Sequence, residues 1–281
     1  MTHCLGELNE FFQNEHPRVF QFATACPDGA AKMYHLINSI AQAIAQQQYS
    51  DDTSPIIGNI DLRNAFNEES RQHIYNFFAA GCKISPSNGD QRKTWRGWDI
   101  LWRHFQAHYG IPGTLKFYHS GKVYNISSET GTQQGDPLGT VVFSAPLQPI
   151  LTAVADSQPD LFIFAFADNA SFIGPMNQVL QGIDTYYQLL SAVNLHLNTT
   201  ESNIFLPNPS PAQMSIQTLT TPQGLVIPCT GTGIKMLGSP IGTLDFSKDQ
   251  FRKIGTKIEN DLSLLKLFPH SHHRVKLLHT H

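Results

Sequence analysis

Two carboxylates and one amide in this chain are placed where they could carry chemistry. Asp61 closes the stretch "IIGNID", and Asp168 lies within "IFAFADNASFIG" with Asn169 beside it. In the first stretch Ile60 and Leu62 alternate with Asn59 and Asp61, which is the period of a strand. In the second, two short apolar runs meet at a tight turn with Asp168 at its tip. Both aspartates therefore precede turns at strand ends, 107 positions apart (168 minus 61). If the two strands are neighbours, both carboxylates project from one sheet edge. Such a pair binds a hard divalent cation through oxygen, typically Mg²⁺ with water and phosphate in its remaining positions. Two ions about 3.5–4 Å apart activate an attacking hydroxyl and stabilise the leaving oxygen of a phosphoryl transfer. Spacing alone equally allows an ordinary turn aspartate at each place.

The elements that must position these residues follow from pattern. "AAKMYHLINSIAQAIAQQQ" sets Met33, Ile37, Ile40 and Ile44 on one helical face. After Asp61, Asn67 is a good N-cap for a helix running to Gly81, with Glu68 and Glu69 in its first turn. "TWRGWDILWRHFQAHYG" is amphipathic, with Trp95, Trp98, Trp102 and Phe105 as its apolar stripe. "LKFYHSGKVYNISSETG" predicts a hairpin around Ser120-Gly121. Asp136-Pro137 reads as N-cap and first residue of the next helix, which Pro146 and Pro149 should kink. A helix from about Met176 to Val193 follows the Asp168 hairpin, then a turn into the strand of "SNIFLP". A Pro- and Thr-rich stretch over 207–222 reads as a loop, "GIKMLGSPIG" as a strand and turn, and the end as a helix with a His-rich tail. The sum is an α+β fold, a small antiparallel sheet covered by helices.

Composition narrows the class. At 281 residues, with 41% hydrophobic and 15% charged side chains, the chain can bury a sizeable core. A net charge of -3 gives no global signal of a nucleic-acid binder. The four cysteines form no CxxC pair, which argues against a zinc site and suits a reducing compartment. The N-terminal "MTHCLGELNEFF" lacks the pattern of a signal peptide, and no apolar run reaches membrane-spanning length. A soluble, intracellular protein is expected, with nuclear and cytoplasmic placement both open.

The order of several motifs adds a resemblance. "DLRNAF", "TGTQQGDPLG", "FADN", "LNTTES" and "MLGSPIG" occur in the order of the palm motifs of reverse transcriptases, and the chain resembles the non-LTR (LINE-type) retrotransposon branch from about Arg18 to Gly242. "SSETGTQQGDPLGTVVFSAPLQPIL" is the most specific piece, and "CPDGAAKMYHLINS" also resembles that branch. The resemblance implies a right-hand polymerase palm over 56–245, partial fingers over 1–55, and a thumb root with a tail over 246–281. It implies RNA-templated DNA synthesis, in which a primer 3′-hydroxyl attacks the α-phosphate of a dNTP. By position, Asp61 and Asp168 resemble the ligands of Mg²⁺ (or Mn²⁺). Phe66 resembles the aromatic under the incoming sugar, although core packing would explain it as well. Gln134 and Gly135 resemble the loop supporting template base and nucleotide, a turn that Gln-Gly-Asp-Pro would form in any case. Asp136, grouped with them at the substrate, reads first as a cap. Gly238 resembles part of a primer-gripping hairpin. Implied partners are an RNA or DNA template-primer and dNTPs, with no membrane.

Departures from the pattern point another way. Asn169 stands where a second Asp is expected. An amide oxygen can touch Mg²⁺ but adds no charge, and Asn suits a left-handed turn position as well as Asp does. Glu201 stands where the family's "LN-x-x-K" has Lys. The chain also begins inside the expected fingers and ends where a thumb should begin. A palm remnant that binds nucleic acid or protein is therefore the alternative, and the "QQGDPLG" context disfavours an RNA-templated RNA polymerase. Seven Lys/Arg over 83–122 could line a backbone groove or simply face solvent. The Trp stripe reads as core, and His270, His272, His273, His279 and His281 as a tail.

Overall fold

The computed structural model describes residues 16–24, 26–47, 49, 54–83, 96–133 and 135–265. Gln134, Trp95 and the His-rich tail lie outside them. Helices are α1 (Gly29–Ala45), α2 (Ala65–Glu68), α3 (Arg71–Lys83), α4 (Arg96–Tyr109), α5 (Gly139–Ser157), α6 (Met176–Ser191) and α7 (Leu244–Leu265). Strands are β1 (Val19–Gln21), β2 (Pro55–Ile60), β3 (Gly113–His119), β4 (Lys122–Ser128), β5 (Phe162–Phe166) and β6 (Asn169–Pro175), then β7 (Asn203–Phe205), β8 (Thr218–Thr220), β9 (Val226–Thr230), β10 (Gly233–Met236) and β11 (Ser239–Gly242).

The α+β class holds, on a sheet wider than the small antiparallel one expected. Seven strands run in the order β1-β5-β6-β2-β7-β9-β8. The centre is antiparallel, while β1 joins β5 and β9 joins β7 in parallel. Alternation along the strands gives the sheet two covered faces. On one, Ile56, Ile60, Ile163, Phe172 and Ile204 pack under α5 and α6 with Phe143, Leu147, Ile183 and Tyr186. On the other, Ile57, Phe164, Ile173 and Phe205 pack under Met33 and Ile37 of α1 and Ile234 and Met236 of the β10–β11 hairpin.

A smaller cluster joins α3, α4 and α5 through Ile74, Phe78, Leu101, Phe105, Tyr109 and Val142. Of the expected tryptophan stripe, Trp102 lies partly buried at its edge, and the fully buried face is Leu101, Phe105 and Tyr109. The β3–β4 hairpin turns at Ser120-Gly121 as expected, both with positive φ. It stands away from the core, with Phe117, Tyr118 and Ile126 all more than half exposed.

Two helix starts differ from expectation. The helix after Asp61 begins at Ala65 rather than behind Asn67, and it breaks at Glu69–Ser70 before α3. Its last turn is diverted because the Glu69 carbonyl accepts the N–H of Gly131 at 2.8 Å and the Ser70 N–H donates to Val193 at 3.1 Å. Glu69 is thereby fully buried instead of facing solvent. The helix after Pro137 begins at Gly139, and it runs on through both prolines to Ser157.

Candidate functional site

Asp61 leaves the end of β2, the strand flanked on both sides in the middle of the sheet. The β2–β6 register pairs Ile60 with Ala170, so one further step sets Asp61 opposite Asn169. The β2–β7 ladder ends at the Asn59–Asn203 pair, and the next antiparallel bridge, Leu62–Leu197, sets Asp61 beside Asn198, with Glu201 in the turn between. Directly opposed residues point to the same face of a sheet. Asp61 thus shares a sheet face with Asn169.

The turn after Asn198 wraps this edge. Asn198 donates its backbone N–H to the Asp61 carbonyl at 2.8 Å and its Nδ2 to Asp61 Oδ2 at 3.1 Å. The Asp61 N–H donates to Ser202 Oγ at 3.0 Å, and Glu201 N–H closes the turn onto the Asn198 carbonyl at 3.2 Å.

Asp168 occupies the turn between β5 and β6. The expected left-handed residue is not Asn169, which already pairs with Phe166 in the ladder; it is Ala167, at φ 53°. A side chain with a Cβ pays about 1–2 kcal/mol for that conformation. Gln21 holds the strained peptide: its Oε1 accepts the N–H of Ala167 at 3.4 Å and that of Ala23 at 3.1 Å. Gln21 itself is 2% exposed and comes from β1, the parallel neighbour of β5.

The structure therefore brings Asp61 and Asp168 to one edge, close enough for their charges to act on each other. Burial, then the nearby Asp168 and Glu201 charges, push the Asp61 carboxyl up to about 6 against the lowering effect of Asn198. Burial likewise raises Asp168. Among the described residues no three carboxylate, imidazole or thiol side chains are already gathered closely enough to hold a metal ion. The donor set is hard oxygen, and it leaves positions to be filled by water or phosphate, as Mg²⁺ prefers. Two residues before Asp61 on the same face, Asn59 is 4% exposed and its Oδ1 has no partner among the described residues.

Phe66 lies on α2, directly after the Asp61 turn, half-buried and stacked on Phe143 at 4.4 Å between ring centroids. The segment before α5 fixes it. Thr132 donates to the Phe66 carbonyl at 2.6 Å, and Thr130 Oγ1 donates to the Asn67 carbonyl at 2.7 Å. Arg71 clamps the same segment through the carbonyls of Gly131 at 3.0 Å and Ser128 at 2.6 Å. Gly135 has φ +93° and open space around it.

Asp136 is a hub for structure. Its Oδ1 accepts the Leu138 N–H at 2.9 Å, while its Oδ2 accepts from Tyr109 Oη at 2.5 Å and faces His104 Nε2 at 3.0 Å. Burial alone would raise its carboxyl; the hydrogen bonds from Tyr109, Leu138 and His104 outweigh that and hold it below the usual carboxylate range. It ties α4 to the loop before α5, as the cap reading anticipates, though three residues ahead of the first helical residue. Gly238, at φ +83°, shares the β10–β11 turn with the left-handed Leu237.

No protein-family model matches the chain. It is 24% identical over 166 residues to the retrotransposable element SLACS 132 kDa protein of Trypanosoma brucei gambiense. That match covers 59% of this chain and 13% of that protein, so the chain spans a small part of its relative's length. Its fold is similar to telomerase from Candida albicans in complex with a TWJ fragment of telomeric RNA, with a TM-score of 0.52 at 11% identity over 88% of this chain and 37% of that one. The corresponding Candida tropicalis telomerase complex gives 0.50 at 9% identity over 78% and 34%. Motif order, the retrotransposon relative and the telomerase-like fold together support a reverse-transcriptase-like domain.

Proposed function

We propose that the chain is the palm of a retroelement reverse transcriptase that extends a primer on an RNA template. What carries the reading is the meeting of Asp61 and Asp168 at one sheet edge from strands far apart in sequence. Asp61 and Asp168 would hold Mg²⁺ or Mn²⁺. The cation, when bound, neutralises phosphate charge and lowers the pKa of a primer hydroxyl. The chain's own residues do the positioning. Asn198 and Ser202 fix the backbone and one carboxylate oxygen of Asp61. Gln21 steadies the turn that carries Asp168. The clamped loop and Arg71 hold the segment that bonds the Phe66 backbone, with the Phe66 ring stacked on Phe143 as the platform proposed to lie under the sugar. Gln134 and Gly135 belong to the loop proposed to support template base and nucleotide, and Asp136 anchors that loop rather than touching substrate. The telomerase likeness, in complexes that hold telomeric RNA, supports an RNA strand as template.

The test is primer extension on an RNA template with dNTPs and Mg²⁺ or Mn²⁺, comparing wild type, Asn169→Asp and Asp168→Ala. Extension by wild type that vanishes in Asp168→Ala supports the reading. Extension only by Asn169→Asp identifies an intact palm disabled by one missing charge. Silence from all three, with salt-sensitive duplex binding indifferent to Mg²⁺, assigns the chain the binding role instead.

A further inference from the structure

The β3–β4 hairpin presents an open face that the Asp61–Asp168 edge does not use. Among the described residues its two strands pair only with each other, as a separate two-stranded sheet. The register sets Leu115 opposite Ile126, Phe117 opposite Tyr124 and His119 opposite Lys122, so these six side chains share one face. Leu115, Phe117, Tyr124 and Ile126 are each about half exposed. The Phe117 and His119 rings lie nearly parallel, at 8° with centroids 6.1 Å apart, and the Tyr124 ring stands 6.3 Å from Phe117. The foot of the hairpin is fixed, because Arg71 donates to the Ser128 carbonyl at 2.6 Å and to Ser128 Oγ at 3.0 Å. A lone hairpin gains no stability from holding four apolar side chains in water, and exposed apolar patches mark contact sites. Charge decides what this one fits. In a chain with 22 Asp and Glu, none occurs between Ile100 and Ser128, and the next, Glu129, lies beyond the foot of the hairpin. Aromatic faces beside a cation, without an acid along either strand, match the bases and phosphates of nucleic acid. A duplex hides its base faces in its own stack, so the matching form is a single strand.

We propose that this face of the β3–β4 hairpin is a stacking platform for single-stranded RNA, with bases on the Phe117 and Tyr124 rings and a phosphate at Lys122. The proposal deepens the palm reading above, on which the choice of RNA rests. Binding here needs neither Asp61 nor Asp168. Lys116 alternates onto the reverse face and takes no part. Because Arg71 ties Ser128 and Gly131 to the start of α3, a strand lying on the hairpin is held at a fixed place relative to the loop before α5.

The experiment is fluorescence anisotropy of a labelled, unstructured RNA of about 16 nucleotides with the full chain, free of divalent metal, at salt from about 50 to 200 mM. Wild type is compared with Phe117→Ala/Tyr124→Ala, the conservative pair Phe117→Tyr/Tyr124→Phe, Lys122→Ala and Lys116→Ala. The alanine pair is expected to weaken binding by about tenfold or more at every salt concentration, leaving the salt slope as in wild type. The conservative pair is expected to stay within about threefold of wild type, since it keeps both rings. Lys122→Ala is expected to flatten the slope of log affinity against log salt by about 0.7, the share of one phosphate contact on a single strand, and Lys116→Ala to leave it unchanged. All four variants should melt as wild type does, because the altered side chains lie on the outside. Wild-type affinity in the alanine pair overturns the proposal and leaves the palm reading standing. No RNA binding by wild type overturns it too, and a wild-type dimer in sedimentation that separates in the alanine pair does so by assigning the face to a second copy of the chain. Affinity lost in the alanine pair, in a chain that extends no primer, supports the platform and counts against the palm reading alone.

Discussion

Thr132 donates its backbone N–H to the carbonyl of Phe66 at 2.6 Å, so the loop before α5 and the short helix after Asp61 share one hydrogen-bonded seam. Gly131 sits in that seam with φ +66°, and a Cβ there would lie 2.1 Å from the Phe66 oxygen. Gly131→Ala is expected to cost roughly 2–4 kcal/mol, by overpacking against backbone that has nowhere to move. Gly135→Ala, at φ +93° with nothing within 4 Å, pays only the backbone term. That term is about 1–2 kcal/mol. Urea unfolding of the two variants side by side checks this, and equal losses would contradict it.

Asp136→Ala removes the acceptor of Tyr109 Oη and the Leu138 N–H and the partner of His104. The expected loss is about 2–4 kcal/mol, because hydrogen bonds to a charged group are lost and buried donors are stranded. Mn²⁺ affinity should stay as in wild type. The reverse pattern, stable protein with lost Mn²⁺ binding, would make Asp136 a ligand instead of an anchor.

Glu69 is fully buried, both its carboxyl oxygens lack partners among the described residues, and burial raises its carboxyl well above the ordinary value. It is neutral in the folded chain at pH values where it is ionised in the unfolded one. The stability it permits is therefore full below the unfolded carboxylate pKa and is lost as pH rises toward the folded one. Glu69→Gln should match wild type near pH 4 and exceed it progressively above, by up to about 1.4 kcal/mol per pH unit until the folded pKa is reached. Chemical denaturation at several pH values measures the difference, and a gap that does not widen with pH would rule this out.

At Asp61 the proton competes with the cation. Its carboxyl titrates at about 6 in the ion-free chain, so Mn²⁺ affinity should be level above pH 7 and fall by about tenfold per pH unit below 6. Titrations between pH 5 and 8 would show it; a profile flat to pH 5 would mean that Asp61 takes no part in binding.

Much of this architecture is readable in the residues. The Asp168 hairpin, β2 and the Ser120-Gly121 turn announce themselves because period-two alternation ends at residues suited to tight turns. The buried face of α1, at Met33, Ile37 and Ile44, follows from helical spacing. What escaped the pattern was decided by partners distant in sequence. The break at Glu69–Ser70 depends on Gly131 and Val193, and the left-handed Ala167 is tolerated because Gln21 reaches it from β1. The edge strands β1 and β8, three residues each, are too short to show a period. Glu201 was visible only as a departure from a pattern, since its place near Asp61 comes from the turn that Asn198 folds against that strand end.

Asp61 and Asn198, whose amide fixes one carboxylate oxygen, are 137 positions apart. At a synthesis rate of about 5–20 residues per second, roughly 7–27 s separate their emergence from the ribosome. The local β5–β6 hairpin can close within microseconds of its release, but β2 must wait for both of its neighbours. Until then "PIIGNI", a segment of high strand propensity without a single charge, is an open edge on both sides. The strand that positions the first carboxylate is thus also the segment most exposed to wrong pairing during synthesis, and a chaperone that covers it for those seconds would govern how much of the chain reaches the folded state.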